Sequence, residues 1–439
     1  MPEKQLWGGE TTKAVENFPI SGEPVPLPVV RWLARVKGAA ALVNGELGLL
    51  DKRRASRIAK GAAEIVAGKH DGQFPIDVFQ TGSGTSTNTN ANEVIAALAG
   101  ANVHPNDHVN MGQSSNDVFP SAVHLATLDI AQNELLPALK QLERSFARKA
   151  RSFENVVKSG RTHLMDAVPV TLGQEFGGYA AQIALGQERV RAALEHVGQI
   201  PLGGTATGTG LNTHPKFAEK VRARLKRESG LKQIAAPLDP FEAQANRDAL
   251  VELSGALKVI AVSLTKIAGD LALMGSGPRA GIGEIRLPEL QKGSSIMPGK
   301  VNPVIPEVVL QVAAQVIGND TAITIGGMQG QFELNVRIPL IGRNLLQSLQ
   351  LLTATARVFA EKCVDGIEVN KAGTEASAGA TLAAATALNG AIGYDKGAMI
   401  VRKAADSGRP LREVALEEGI DAKLYDATID LRKIARGNR

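Results

Sequence analysis

The sequence has 439 residues, of which 44% are hydrophobic and only 4% aromatic, so we expect an interior built mainly from aliphatic side chains and alanine. A chain of this length usually forms about two to four domains. The 49 basic and 44 acidic residues give a net charge of +5. They are scattered along the chain, and no basic stripe is interleaved with aromatic residues. This pattern argues against a nucleic-acid-binding protein.

Cysteine usage and hydropathy restrict the cellular setting. The single cysteine, Cys363, excludes an internal disulfide framework and a Cys-rich zinc or iron–sulfur site. Residues 1–22 contain no apolar signal core, and no stretch of about 18 or more apolar residues occurs elsewhere. We therefore expect a cytoplasmic protein in a reducing compartment, with neither a membrane nor a nucleic acid as partner.

The spacing of apolar residues predicts five long helices. In chain order they lie around Leu125–Phe146, Glu175–His196, Leu250–Leu271, Ile305–Ile317 and Leu345–Phe359. The third is the clearest, because its apolar residues recur with a strict 3-4 spacing over three heptads. Apolar seams on more than one side of these helices predict packing against further subunits.

The expected fold is all-α. Shorter helices and loops before the five long helices form an N-terminal domain, residues 1–116. The long helices form a central bundle, residues 117–365, and shorter Ala-rich helices form a C-terminal domain, residues 366–439.

Four polar, glycine-containing stretches interrupt this apolar scaffold: GSGTSTNTNANE (82–93), VHPNDHVNMGQSSND (103–117), GRTHLMDAVPV (160–170) and GSSIMPGKVNPVIPE (293–307). The start of a helix offers unpaired N–H groups and a positive dipole end, which suit a carboxylate or phosphate. Each stretch alone is equally compatible with ordinary capping and turn residues. A set of side chains from these stretches is mostly neutral donors plus one cation, and this inventory favours a small polycarboxylate ligand: Ser83, Thr85, Ser114, Ser115, Asn116, Thr162, Asn302 and Lys300.

Nucleotide and metal ligands are less well supported. The sequence has no Walker-type phosphate loop and no strand followed by GxGxxG, and the run GGTATGTG (203–210) is interpreted as a turn that supports the site. His104 and His108 are spaced i, i+4, as in some metal sites. Because Pro105 disfavours a helical conformation at the residue before it, we expect no metal site and no cofactor.

His163 is a candidate for proton transfer. It lies between Thr162 and Asp166 in a short polar turn, which could hold the imidazole in one orientation. An isolated structural histidine is the alternative interpretation.

Taken together, these stretches resemble the fumarase/aspartase superfamily, and most closely the class II fumarases. GSSIMPGKVNP resembles the signature loop of the superfamily, and HPNDHVN, QSSND, GRTHL and GTGLNTHP resemble class II fumarases at nearly every position. The similarity covers nearly the entire chain. It implies a fumarase/aspartase-like homotetramer with a core of twenty helices, five from each subunit, and four active sites that each use three subunits.

The resemblance also implies roles for individual residues. Ser294 matches the catalytic base in the signature loop, His163 the histidine that activates or protonates water, and Glu307 the acid paired with that histidine from a neighbouring subunit. The matches to substrate-binding positions are Ser83, Thr85, Ser114, Ser115, Asn116, Thr162, Ser295, Lys300 and Asn302. An accessory dicarboxylate site outside the catalytic pocket matches His104, Asn106 and Asp107.

The implied activity is the reversible hydration of fumarate to (S)-malate, a reaction of the tricarboxylic acid cycle. Two features resemble aspartate ammonia-lyase instead, namely Ser86 in place of a usual Gln and the run NPVIPEVV, so release of ammonia from aspartate is the first alternative. Ser115 within QSSND favours water. A catalytically silent helical tetramer, either structural or dicarboxylate-sensing, is the second alternative. The joint presence of Ser294, His163, Lys300 and Glu307 argues against it.

Overall fold

The structure, a computed structural model, describes residues 5–437, and helices dominate it. The helices are α1 (Gly9–Asn17), α2 (Leu27–Glu46), α3 (Lys52–Val66), α4 (Thr85–Ala99), α5 (Ser115–Ile130), α6 (Leu136–Ser152), α7 (Leu172–Val197), α8 (Phe217–Ser229), α9 (Pro240–Ala245), α10 (Asp248–Met274), α11 (Val304–Gly327), α12 (Ile338–Val358), α13 (Lys371–Ala380), α14 (Asn389–Ile392), α15 (Tyr394–Ser407), α16 (Leu411–Glu417), α17 (Ala422–Thr428) and α18 (Leu431–Arg436).

The predicted all-helical class and its five long helical runs are confirmed. They are α5 with α6, α7, α10, α11 and α12. In α10, every Leu and Ile of the 3-4 seam from Leu250 to Leu271 is at most 2% exposed. Because full burial of such a side chain contributes about 1.5 to 3 kcal/mol, this seam is a main source of the stability of the helix.

Within residues 5–437, the departures from regular helix include a π-helical turn between two long helices and two small sheets. Ala131–Leu135 forms a π-helical turn that joins α5 to α6, so the single predicted run is two helices in continuous succession. Two small antiparallel sheets are also present. Strands β1 (Val157–Thr162) and β2 (Met165–Thr171) form a hairpin, and β3 (Ile285–Arg286) pairs with β4 (Glu368–Val369).

The chain divides into two compact units. The first contains Met1–Pro137, Gly186–Ala261 and Val312–Thr353; the second contains Ala138–Leu185, Val262–Gln311 and Ala354–Arg439. In the first unit, Asp320 of α11 accepts hydrogen bonds from Ser254 and Lys258 of α10. In the second, Phe146, Phe176, Tyr179 and Phe359 form an aromatic cluster with ring centroids 5.7–6.0 Å apart. The division of the chain into domains 1–116, 117–365 and 366–439 stays a prediction.

Helix α11 has an apolar surface that its own chain does not cover. Val308, Ile317 and Ile325 are 44%, 37% and 55% exposed. Only 33% of its most apolar 18-residue window is buried, and among the helices of residues 5–437 it alone is long and apolar enough to span a membrane. Its polar residues include Asn319 and Asp320, which hydrogen-bond within the first unit.

Candidate active site

In the first unit, the starts of two helices bring three hydroxyl groups together. Thr85 is the first residue of α4 and Ser115 the first of α5. Thr85 Oγ1 lies 2.8 Å from Ser115 Oγ and 2.7 Å from Ser83 Oγ. Two helix N-termini with converging hydroxyl groups form a cradle that suits an anion.

Gly84 fixes the turn before α4. Its φ of +76° lies in the left-handed region, and a Cβ at this position would overlap the ring of Phe119. Glycine is therefore required here, both for its backbone conformation and for its missing side chain. In this way the turn brings Ser83 and Thr85 to the start of α5.

The start of α5 is held by a capping box. Ser114 Oγ accepts a hydrogen bond from Asn116 N, and Ser114 N donates to Asp117 Oδ1 at 2.8 Å. Asp117 Oδ2 accepts from the backbone N–H groups of Gly203 and Thr205. The Gly-rich segment 203–210 is therefore a turn, as predicted. Its backbone N–H groups hold the Asp117 carboxylate at the start of α5.

Lys37, which was not among the predicted site residues, organises the loop before α5. Lys37 is fully buried on α2, and its Nζ donates to Asn110 Oδ1 at 3.0 Å and to Gln113 Oε1 at 3.2 Å. Burial lowers the pKa of Lys37 to about 7, and burial raises the pKa of Asp117 to about 6 against its backbone donors. A lone lysine in the apolar run of α2 was the signal that could have found it.

The segment of the predicted accessory site is exposed. His104 precedes a π-helical turn, Pro105–Val109, and has an extended backbone, so the prediction that it lies outside a helix is confirmed. Its Nδ1 lies 3.1 Å from Asp107 N and 3.2 Å from Asp107 Oδ2. His108 Nδ1 accepts a hydrogen bond from His104 N at 2.8 Å. Asn106 is exposed beside these residues.

In the second unit, Thr162 and His163 lie at the tip of the β1–β2 hairpin. Thr162 pairs with Met165, and the two residues between them, His163 and Leu164, have φ of +55° and +60°. These values are typical of a type I′ hairpin turn, which usually contains Asn or Gly. Non-glycine residues in this region carry a strain of about 1 to 3 kcal/mol each, and such strain is concentrated at functional sites.

The loop 293–302, referred to below as the signature loop, holds Ser294 by backbone donors. Ser294 Oγ accepts hydrogen bonds from Ile296 N at 3.2 Å and from Met297 N at 3.0 Å. Two N–H groups directed at one oxygen stabilise negative charge on it. Both donors of this turn therefore point at the Ser294 hydroxyl oxygen.

The ends of the signature loop are closed against each other. Asn302 Nδ2 donates to Gly293 O at 2.7 Å, and a Cβ on Gly293 would overlap Lys300 O, so glycine is required there. The side chains of Ser295 and Lys300 are exposed. Glu307 follows in the first turn of α11 and is also exposed.

The candidate residues thus form separate groups. The first unit holds the cradle, with Ser83, Thr85 and Ser114–Asn116, and the exposed accessory segment 104–107. The second unit holds the hairpin tip and the signature loop with Glu307. Glu284, a buried carboxylate that binds Arg161 of the hairpin, was not among the predicted site residues either.

Two family models match most of the chain. A family model described as "Lyase" matches residues 1–318, and one described as "Fumarase C C-terminus" matches residues 385–436. The chain is 56% identical to a class II fumarate hydratase of Corynebacterium glutamicum over 98% of this chain and 92% of the relative. It is 55% identical to one of Mycobacterium tuberculosis over 96% of this chain and 89% of that relative.

Solved structures give the same result. A class II fumarase from Schistosoma mansoni superposes with a TM-score of 0.97 at 36% identity, covering 100% of this chain and 97% of that one. A protein from Brucella melitensis, described as fumarate lyase:delta crystallin bound to cobalt, gives 0.95 at 45% identity, covering 99% and 97%. The resemblance inferred from the motifs is confirmed: the chain belongs to the class II fumarate hydratase family, within the fumarase/aspartase superfamily.

Proposed function

We propose that this protein catalyses the reversible hydration of fumarate to (S)-malate, with anti addition and elimination of water. The observation that carries the proposal is the position of Ser294 Oγ between the N–H groups of Ile296 and Met297. A serine hydroxyl is too weak a base in water, and hydrogen-bond donors directed at its oxygen stabilise the negative charge that forms on it. Fumarate supplied in ammonium-free buffer should be consumed with formation of malate, and no consumption would contradict the proposal.

The remaining groups fit the other needs of the reaction. Loss of the C3 proton of malate places extra negative charge on the adjacent carboxylate, and Lys300 and Asn302 supply donors for that charge. On the opposite face, His163 takes a proton from water during hydration and returns it during dehydration. Glu307 is the carboxylate that pairs with His163, and a hydrogen bond from one ring nitrogen to a carboxylate holds the imidazole in one orientation.

The cradle of the first unit binds a carboxylate of the substrate in this proposal. Its donors are neutral hydroxyl and amide groups at two helix starts, supplied by Ser83, Thr85, Ser114, Ser115 and Asn116. Thr162, beside His163, and Ser295, beside Ser294, add donors from the hairpin and the signature loop. Catalysis without a metal or cofactor and a cytoplasmic location stay predictions.

We further propose that the protein is a homotetramer whose active sites combine residues from different subunits. Helix α11 has exposed apolar side chains, and so does α10 at Val262 and Leu273. Such surfaces favour burial against an apolar partner, and the same helices of other subunits provide one. Glu307 then pairs with His163 of another subunit.

The oligomeric state gives a direct prediction. Light scattering should report a mass near four times the 46.1 kDa of one chain, because one subunit leaves much of the apolar surface of α10 and α11 in water. A mass near 46.1 kDa at all concentrations would contradict the tetramer.

The accessory segment gives a second prediction. His104→Asn should leave kcat and KM for fumarate largely unchanged, because His104 belongs to the exposed segment and not to the hairpin or the signature loop. Steady-state kinetics of the variant measure this. A loss of kcat as large as that caused by His163→Asn would instead place His104 in the catalytic machinery.

A further inference from the structure

Glu284 carries the most enclosed carboxylate near the hairpin. It precedes the signature loop in sequence, and its side chain is 0% exposed. Arg161 Nη1 donates to its two carboxylate oxygens at 2.9 and 3.0 Å, and Ser377 Oγ donates to Oε1 at 2.7 Å. Lys158 Nζ lies 3.2 Å from Oε2. Both carboxylate oxygens therefore have partners on β1.

The backbone of Glu284 is held as well. Its N–H donates to Met274 O at the end of α10, and its carbonyl accepts from Asn370 N at 3.0 Å. The next two residues form β3, which pairs with β4. Because the backbone and the side chain of Glu284 are both held by hydrogen bonds, its carboxylate anchors β1.

The ion pair between Glu284 and Arg161 lies next to the proposed site residues along β1. Arg161 is adjacent to Thr162 in β1, and Lys158 of the same strand is 2% exposed and also binds Glu175 of α7 at 2.7 Å. The tip itself is different, because Thr162, His163 and Leu164 are exposed. The position of the hairpin tip is therefore set by the base of the hairpin, where Lys158 and Arg161 are held by ion pairs.

The charges around Glu284 balance. Lys158 and Arg161 face Glu175 and Glu284, so loss of the Glu284 charge would leave an excess positive charge in a buried site. Removing one partner of a buried ion pair is costly, and the strand relaxes to bring its cations toward water. Such a displacement of β1 moves Thr162 and His163.

We infer that Glu284 is a positioning residue for the hydration reaction: it fixes the hairpin that places Thr162 and His163. The inference rests on the proposed function, since that function gives Thr162 and His163 their roles. The contacts of the buried Glu284 side chain are with Arg161, Ser377 and Lys158, so its inferred role is to hold the hairpin and not to contact substrate. Its effect is transmitted through Arg161 and Lys158.

The test compares two variants at Glu284 with a matched control. Glu284→Gln should lower kcat by about 10²-fold, the size of loss expected when a catalytic group moves by about 1 Å. KM for fumarate should rise by a smaller factor, because Thr162 moves with the hairpin. Glu284→Asp keeps the charge and should restore part of kcat. The control is Asp320→Asn, which removes a buried carboxylate of the first unit that binds Ser254 and Lys258, and it should leave kcat unchanged.

Hydrogen exchange provides a readout that does not depend on activity. In Glu284→Gln, amides of residues 157–171 should exchange faster than in the unaltered protein, whereas Asp320→Asn should leave these rates unchanged. An unchanged kcat, or unchanged exchange in the hairpin, would overturn the inference. If the unaltered protein produces no malate, the proposed function itself fails, and the exchange rates still report whether Glu284 anchors the hairpin.

Discussion

Replacing Ser294 by alanine should lower kcat for malate dehydration by about 10² to 10⁴, the usual cost of losing a proton-transfer group. The oxygen of Ser294 accepts hydrogen bonds from the N–H groups of Ile296 and Met297, and alanine has no atom there to carry the charge that these donors stabilise. Dicarboxylate binding should change little, because Lys300 and the cradle of the first unit remain. Steady-state kinetics with malate separate the two effects.

Ser295→Ala is the matched control for this prediction. It removes the neighbouring hydroxyl group, which the proposal assigns to substrate binding, so it should weaken affinity by only about 0.5 to 1.5 kcal/mol. A Ser294→Ala variant that raised KM with kcat preserved would show that Ser294 only binds substrate. The base would then have to be sought elsewhere, first at His163.

The second large effect is expected for His163→Asn. An amide keeps a hydrogen-bonding side chain at the hairpin tip but cannot accept a proton from water, so kcat should again fall by about 10² to 10⁴. His104→Asn, measured in the same assay, is the control. It shows whether replacing a histidine outside the hairpin also lowers kcat. A fall in affinity without a fall in kcat would remove His163 from the proton transfer.

The same two variants test whether active sites are shared. After subunit exchange between Ser294→Ala and His163→Asn proteins, some sites should combine an intact Ser294 with an intact His163, and part of the activity should return. Exchange has to be verified independently, for example by mass labels on the two parents. Mixed tetramers that stay inactive would argue against sites built from several subunits.

Much of the fold could be predicted from sequence because the burial of apolar side chains along its long helices follows a local, periodic pattern. The 3-4 spacing from Leu250 to Leu271 requires a helix with one buried stripe, and that stripe is buried in the structure. The motifs at helix starts likewise predicted donors near the N-termini of α4 and α5.

The hairpin and its anchor could not be predicted in the same way. His163 and Leu164 are not typical residues for a turn with positive φ, so the polar turn gave no sign of paired strands. Arg161 and Glu284 are separated by 123 residues, and a single sequence contains no signal that joins them. The lone lysine in the apolar run of α2 indicates a buried charge, but its partners Asn110 and Gln113 are 73 and 76 residues away in the sequence.

The most direct test of the central claim is the product formed from fumarate in D₂O, with and without ammonium, identified by NMR. Hydration by anti addition predicts malate that carries one deuterium at C3 in a single diastereomer, both with and without ammonium. Aspartate formed only when ammonium is present would contradict hydration and indicate an ammonia-lyase. The absence of any product would contradict both activities and leave the dicarboxylate-sensing alternative.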